Sequence, residues 1–486
     1  MSKIPSRWAE SSPQRISTSS DKTGIVRALA VLLWLIIWQV VSTCLDNRLL
    51  LVSPLMVFVR LFELAAELSF WQAVAFSLLR IMGGFFLAFP VAVLTALLAH
   101  RFSFFRIMLW PLISCIRSVP VASFIILALV WLPSPKLPQL IAYLMVFPIL
   151  YDGVLQGLSS MQVQLEEMAE IFEIRRLRYL RYIVLPQLFP FVMAGCKSAL
   201  GLVWKAGIAA EVIAMPRGSI GNRLQQAKVY LDTPDLFAWT LVVVILSILC
   251  SRLVLAIMKE LEKALLRYPF LQENRMQNPA EPQEKEKEGR KADGLQLTVS
   301  HLEKSYDNHI VLDDINLSFK QGESYGLLAP SGYGKTTFLR ILMRLEEADS
   351  GQITLQPQQR AVFGCCFQEN RLIPNLSAAA NIALGNPSLT FSQITDALEE
   401  VGLKGCERQK VSLLSGGMQR RVALLRALLA DRTIVCLDEP FKGLDEANVQ
   451  RAIDFTGRVC KDRLLILVTH EETQVTRLGA KAIRLS

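Results

Sequence analysis

Long apolar runs, broken by short polar turns, dominate residues 25–268. A helix needs about 20 mostly apolar residues to cross a bilayer. Runs near residues 25–44, 77–99, 109–132, 138–157, 187–210 and 235–257 meet that need and predict six spanning helices. Residues 53–68 read differently. Ser53 followed by Pro54 predicts an N-cap and a first helical turn. Arg60, Glu63 and Glu67 then alternate with Leu and Phe at helical spacing, which predicts a short amphipathic helix at the membrane surface. In residues 295–486 short β-rich runs alternate with helical stretches, the pattern of an α/β domain. The expected order is a polar N-terminal tail (1–24), a transmembrane domain (25–268), a polar linker of mixed charge (269–294) and the α/β domain (295–486). No internal repeat is evident.

Composition sharpens this reading. Hydrophobic residues make up 52% of the 486 and charged residues 20%, which excludes a disordered chain, a coiled coil and a collagen-like repeat. The nine cysteines form no CxxC pair, so neither a zinc site nor a disulfide framework is signalled. A net charge of +9 could suit nucleic acid. Here Lys and Arg gather instead in the tail, the 99–106 turn, the 158–186 loop and the stretch after residue 251. These are the segments that lie inside if the N-terminus does, so both termini and the α/β domain are expected in the cytoplasm. No nucleic-acid partner is needed. No small-residue cleavage site follows the first apolar run, so no cleavable signal is expected.

The chemistry concentrates in the α/β domain. Residues 329–337 read Ala-Pro-Ser-Gly-Tyr-Gly-Lys-Thr-Thr after an apolar strand and before a helix. The pattern GxxxxGK[ST] lets backbone N–H groups curl around phosphates at a helix N-terminus. Gly334, Lys335 and Thr336 fit it, with Lys335 reaching terminal phosphates and Thr336 holding Mg²⁺. Ala329 stands at the first glycine position, where a negative φ makes Ala the least costly replacement. Ala329, Pro330, Ser331, Gly332, Tyr333, Gly334, Lys335, Thr336 and Thr337 are thus the nucleotide-binding candidates. Residues 434–440 read Ile-Val-Cys-Leu-Asp-Glu-Pro, an apolar strand ending in Asp438 as a second Mg²⁺ contact and Glu439 as the group that activates water. Leu414, Ser415, Gly416, Gly417, Met418 and Gln419 open a second glycine-rich helix suited to an anion.

Together these motifs resemble the ABC transporter ATPases over essentially all of residues 295–486, Leu414–Gln419 matching their signature. The resemblance implies four further roles. Tyr306 stacks on adenine. Gln368 touches Mg²⁺ and the attacking water. Asp445 belongs to the D-loop. His470 sits near the γ-phosphate. It also implies ATP and Mg²⁺ as cofactors and a head-to-tail pair of ATPase domains, hence a homodimer.

The 158–186 loop bears on direction. Its polar and apolar positions follow helical spacing, with a basic face that includes Arg175 and Arg176. It resembles the Glu-Ala-Ala motif of ABC importer permeases: Glu167, Ala169, Leu185 and Pro186 fit, Met168 replaces an Ala, and Glu173 replaces a Gly. The resemblance implies a coupling helix that docks on the ATPase. The runs from Phe76, Arg117 and Tyr230 resemble the nitrate, sulfonate and taurine importer permeases. They imply a type I importer fold fed by an extracytoplasmic solute-binding protein. Lys197, Lys205 and Glu211 fall in or beside the fifth apolar run, where ionisable groups carry function by default. Lysines lining a path would suit an anionic solute; a structural ion pair or snorkelling is the alternative. The fold class expected is an all-α permease followed by an α/β P-loop ATPase. The expected function is ATP-driven uptake of a small anionic solute across the cytoplasmic membrane. An exporter half and a membrane-tethered regulatory ATPase are the alternatives.

Overall fold

The computed structural model describes residues 20–45, 51–266 and 294–484, except 308, 331 and 358–360. Most of the tail and the 269–294 linker therefore lie outside the described residues. The chain forms two compact units that do not follow chain order: residues 1–156 with 191–259, and residues 157–190 with 260–486.

The first unit is helical. It holds α1 (Ser20–Leu45), α2 (Pro54–Ala65), α3 (Leu68–Arg101), α4 (Ser103–Ser118), α5 (Val121–Ala128) and most of α6 (Leu137–Ser159). Four helical stretches among the described residues are long and apolar enough to cross a bilayer: 68–101, 134–159, 176–214 and 233–265. The expected span at 109–132 is not one helix. α4 and α5 meet at 103°. Pro120 explains the break, because its ring pushes Val119 out of the helical region, to φ −75° and ψ 128°. In α1 the apolar stretch is Leu29–Leu45, shorter than the others. Ser53 caps α2, its hydroxyl accepting the N–H of Met56 at 3.4 Å. Leu55, Phe58, Val59 and Phe62 form an exposed apolar stripe on α2, while Arg60 pairs with Glu63 at 2.9 Å and Asp235 at 2.5 Å. α5, α6 and α9 (Leu185–Ala214) share a core of Ile125, Leu137, Ile141, Ala206 and Ala210.

The second unit is α/β. Strands β1 (Gln296–Tyr306), β2 (His309–Lys320) and β4 (Ser350–Gln356) pair antiparallel in the order β2-β1-β4. A parallel sheet runs β5-β6-β7-β3-β8, from β3 (Ser324–Leu328), β5 (Phe363–Cys366), β6 (Ile434–Asp438), β7 (Leu464–Thr469) and β8 (Lys481–Arg484). β5, β6 and β7 are buried along their whole length, as strands covered on both faces must be. The carboxyl ends of β3, β6 and β7 lie side by side, the usual place for a ligand in an open parallel sheet.

The 157–190 segment packs into this unit. α7 (Val163–Ile171) ends in a tight turn, and α8 (Arg176–Tyr179) leads through a π-helical turn at Leu180–Val184 into α9. Pro186 lacks the N–H that would bond back one turn, which accounts for the widened turn before it. The helical spacing read across 166–186 is thus interrupted at the turn, where Glu173 has φ +50°. Leu165, Met168, Phe172 and Tyr182 join the same hydrophobic core as Leu297, Phe338 and Phe363.

Candidate functional site

The loop after β3 turns at Gly332 and Gly334, with φ +92° and +70°, and feeds α12 (Lys335–Leu342). At Gly334 a side chain would strike the Val311 carbonyl oxygen at 2.7 Å. Ala329 is not among the positive-φ residues, which is the condition its tolerance required. Lys335 is buried and donates to the carbonyls of Ala329 and of Pro330, the latter at 2.8 Å. Ser331 lies outside the described residues, and Tyr333 is exposed.

One cavity of about 340 Å³ is lined by Tyr306, Gly332, Gly334, Lys335, Thr336, Thr337, Gln368, Asp438 and Glu439 together with Val311. Residues separated by more than a hundred positions in the chain are thereby brought together. Thr336 donates to Asp438 at 2.8 Å. Burial pushes the Asp438 carboxyl above the ordinary range, against that hydrogen bond. Glu439 sits beyond β6 with φ +46°, its N–H bonded to the Val468 carbonyl at 2.8 Å. Burial would raise its carboxyl, but Lys442 at 2.9 Å and His470 at 3.4 Å outweigh that and hold it below the ordinary range. His470, half exposed, follows β7 and reaches the site through Glu439. Tyr306 bonds through its hydroxyl to Glu346.

The second glycine-rich turn stands apart. Ser415 caps α15 (Gly416–Leu428) by accepting the Met418 N–H at 3.4 Å, and Ser415 and Gly416 are exposed. Gln419 folds back on the carbonyls of Val411 and Leu414, each at 3.0 Å. None of Leu414–Gln419 lines the cavity at the first turn. Asp445 caps α16 (Glu446–Val459), accepting from Asn448 N–H at 2.9 Å.

Sequence reasoning missed Arg420. Its buried guanidinium donates to the carbonyls of Phe367, Gln368 at 3.1 Å, Glu439 at 2.9 Å and Pro440 at 3.2 Å, and so ties the Gln368 loop to the end of β6. The signal was a run of arginines, Arg420, Arg421 and Arg426, within a helix whose other middle residues are apolar and buried.

Glu167 is the centre of the α7 contact. Arg340 of α12 grips it with two hydrogen bonds, 2.8 and 3.1 Å, and Arg371 adds a third at 2.6 Å. Burial pushes the Glu167 carboxyl up, but the two arginines prevail and hold it below the ordinary carboxylate range. Ala169 is buried, and its carbonyl accepts the Ile174 N–H at 2.9 Å. Glu173 pairs with Arg432 at 3.1 Å. Arg175 and Arg176 are exposed. Pro186 lies in the first turn of α9. A second cavity of about 240 Å³ is lined by Gln164 and Glu167 at one side and Thr336, Gln368 and Asp438 at the other.

Known families match both parts of the chain. The ABC transporter family matches residues 312–442, and the binding-protein-dependent transport system inner membrane component matches residues 88–267. The chain is 40% identical over 202 residues to an aliphatic sulfonates import ATP-binding protein of Rhodococcus jostii, covering 41% of this chain and 74% of that protein. A protein of the same description from Nocardia farcinica is 36% identical over 195 residues, covering 39% and 78%. Among solved structures, a dimeric ATP-binding cassette in a post-hydrolysis state with ADP and Pi is 25% identical, with a TM-score of 0.35, over 39% of this chain and 94% of that one.

Proposed function

The chain belongs to the ABC transporter family, a multi-pass membrane permease and an ATP-hydrolysing domain in one polypeptide, and from that premise we propose that it is half of a sulfonate-type importer. The observation that carries the reading is the double use of α12. Its first turn lines the nucleotide cavity through Lys335 and Thr336, and its Arg340 holds Glu167 of the segment that leads into α9. A change at the phosphates is thereby felt, through one rigid helix, at the start of a membrane-crossing element.

ATP lies along the β3 loop, its phosphates facing the N–H groups of α12 and the Lys335 ammonium. Mg²⁺ fits the oxygen donors of Thr336, Asp438 and Gln368. So few protein ligands suit a small hard cation that keeps waters and phosphates in its shell. Glu439 orients and activates the attacking water, and His470 stands beside it. The exposed turn at Ser415 serves the nucleotide of a second copy, which makes the working unit a homodimer. The ATPase unit faces the cytoplasm. A solute-binding protein delivers a small anion outside, and the names of the relatives support an aliphatic sulfonate as its class.

The test is ATPase activity of the full chain in nanodiscs, with Lys335→Ala as the control. Candidate binding proteins are added with and without ethanesulfonate. Stimulation by a sulfonate-loaded protein alone is the expected result. Lys335-dependent turnover that no loaded binding protein changes, with no ethanesulfonate uptake into vesicles, would defeat the importer reading.

A further inference from the structure

The open side of α9 carries charged and polar groups. Ala194, Lys197, Ser198, Gly201, Leu202 and Lys205 are exposed, and at 100° per residue they fall in an arc of about 140°. The opposite side, with Ala199, Leu200, Val203 and Ala210, is buried. α11 (Thr233–Leu266) offers the contrast. Its exposed residues include Val244, Ile245, Ile248, Leu249 and Leu253, the large apolar groups that hydrocarbon favours. A lysine at mid-membrane costs about 2.5–3.5 kcal/mol on insertion scales. Lys197 and Lys205 both lie about 13 Å or more from either end of α9, beyond easy snorkelling. Neither has an ion-pair partner among the described residues. A face with two lysines, a serine and a glycine therefore suits lipid poorly.

A cavity independently marks the same place. It measures about 400 Å³, and Arg117, Asp152, Gln156 and Phe191 line it together with Ala194 and Ser198 of the open side. That volume lies within the range of small-molecule sites. Arg117 and Asp152 pair with each other, so the surplus positive charge of the open side is that of Lys197, next to Ser198 in the chain, and of Lys205, about 10 Å beyond Ser198 along α9. At Gly201 nothing stands within 4 Å of where a side chain would project.

We propose that this face and its cavity form a transmembrane binding site for a small organic oxyanion. Lys197 and Lys205 attract the charged head, Ser198 donates to its oxygens, and Phe191 and Leu202 accept its short alkyl part. The proposal rests on the transport reading and adds to it a substrate site in the permease, separate from any binding protein.

The test uses thiol labelling, which needs neither transport nor a binding protein. In full-length protein in nanodiscs, with Cys44, Cys115 and Cys250 changed to Ser, single Ser198→Cys and Leu202→Cys variants are exposed to an anionic and a cationic methanethiosulfonate reagent. Leu249→Cys on α11 is the lipid-facing control. Both α9 thiols should react while the thiol introduced on α11 stays inert. The anionic reagent should be favoured by about tenfold, as two nearby ammonium groups imply. Lys197→Gln with Lys205→Gln should abolish the preference, and millimolar ethanesulfonate, unlike ethylammonium, should slow labelling severalfold. Thiols on α9 as inert as the α11 control, a preference independent of the lysines, or labelling indifferent to ethanesulfonate would each overturn the site. Failure of uptake with these results intact would fall on the transport reading alone.

Discussion

Two helices in the α/β unit begin at glycine-rich turns, and the fold treats them in opposite ways. At the N-terminus of α12 the chain builds a surrounding. Thr336, Asp438, Gln368 and Glu439 close a cavity around the turn, and Lys335 is buried beside it. At the N-terminus of α15 the chain builds nothing around Ser415 and Gly416, which stay exposed. Both ends favour an anion by the same helix electrostatics. The difference teaches that one chain encloses only one of its two glycine-rich turns, which is the arrangement the proposed pairing of two copies requires.

The largest expected effect separates those halves. Lys335→Ala should remove both nucleotide binding and turnover. Ser415→Arg should lower turnover by about 10²-fold, the scale for losing a phosphate-facing donor, while leaving binding of labelled ATP nearly intact. Equal loss of binding in the two variants, or wild-type turnover in Ser415→Arg, would break the comparison.

The next effect concerns what holds α7 to the motor. Glu167→Ala removes three charge-assisted hydrogen bonds and should weaken that contact by about 2 kcal/mol. ATP hydrolysis should then continue without responding to the permease. Retained coupling between hydrolysis and uptake would show that the arginine grip is dispensable. The pH dependence has a fixed sign. The Glu167 carboxyl is lowered in the folded chain, so its contribution is complete above the ordinary carboxylate range and is lost only as the pH falls through the lowered value. Neutral and mildly acid media should therefore leave coupling unchanged.

The smallest effect is at Glu173. Replacement by Gly relieves a left-handed backbone, worth about 1 kcal/mol, and removes a pair with Arg432 worth a similar amount. Thermal unfolding of Glu173→Gly should differ from the parent by less than about 1 kcal/mol. A large loss would make the Arg432 pair a principal anchor of α7.

Much of the candidate nucleotide site was legible because its motifs are local. A P-loop or a strand ending in Asp-Glu has its geometry written into consecutive residues. Arg420 was not legible, because its partners are backbone carbonyls from two distant loops. The grip on Glu167 was half legible: a coupling segment could be expected, but Arg340 and Arg371 became its partners only when α7 packed beside α12 and the Gln368 loop. The bend at Val119-Pro120 was written in the sequence and hidden by a run whose hydropathy alone suggested one span. Arg175 and Arg176, on the basic face read from the sequence, are exposed.

By itself the sequence determined the apolar runs, the α/β pattern, the glycine-rich turns and the family. All of these follow from periodicity or from contiguous motifs. Only the tertiary structure decided which lysines of α9 share an open face and which acid the arginines of the motor hold. It alone decided which glycine-rich turn is enclosed. Those outcomes depend on burial and on partners far apart in the chain, and no local pattern encodes either.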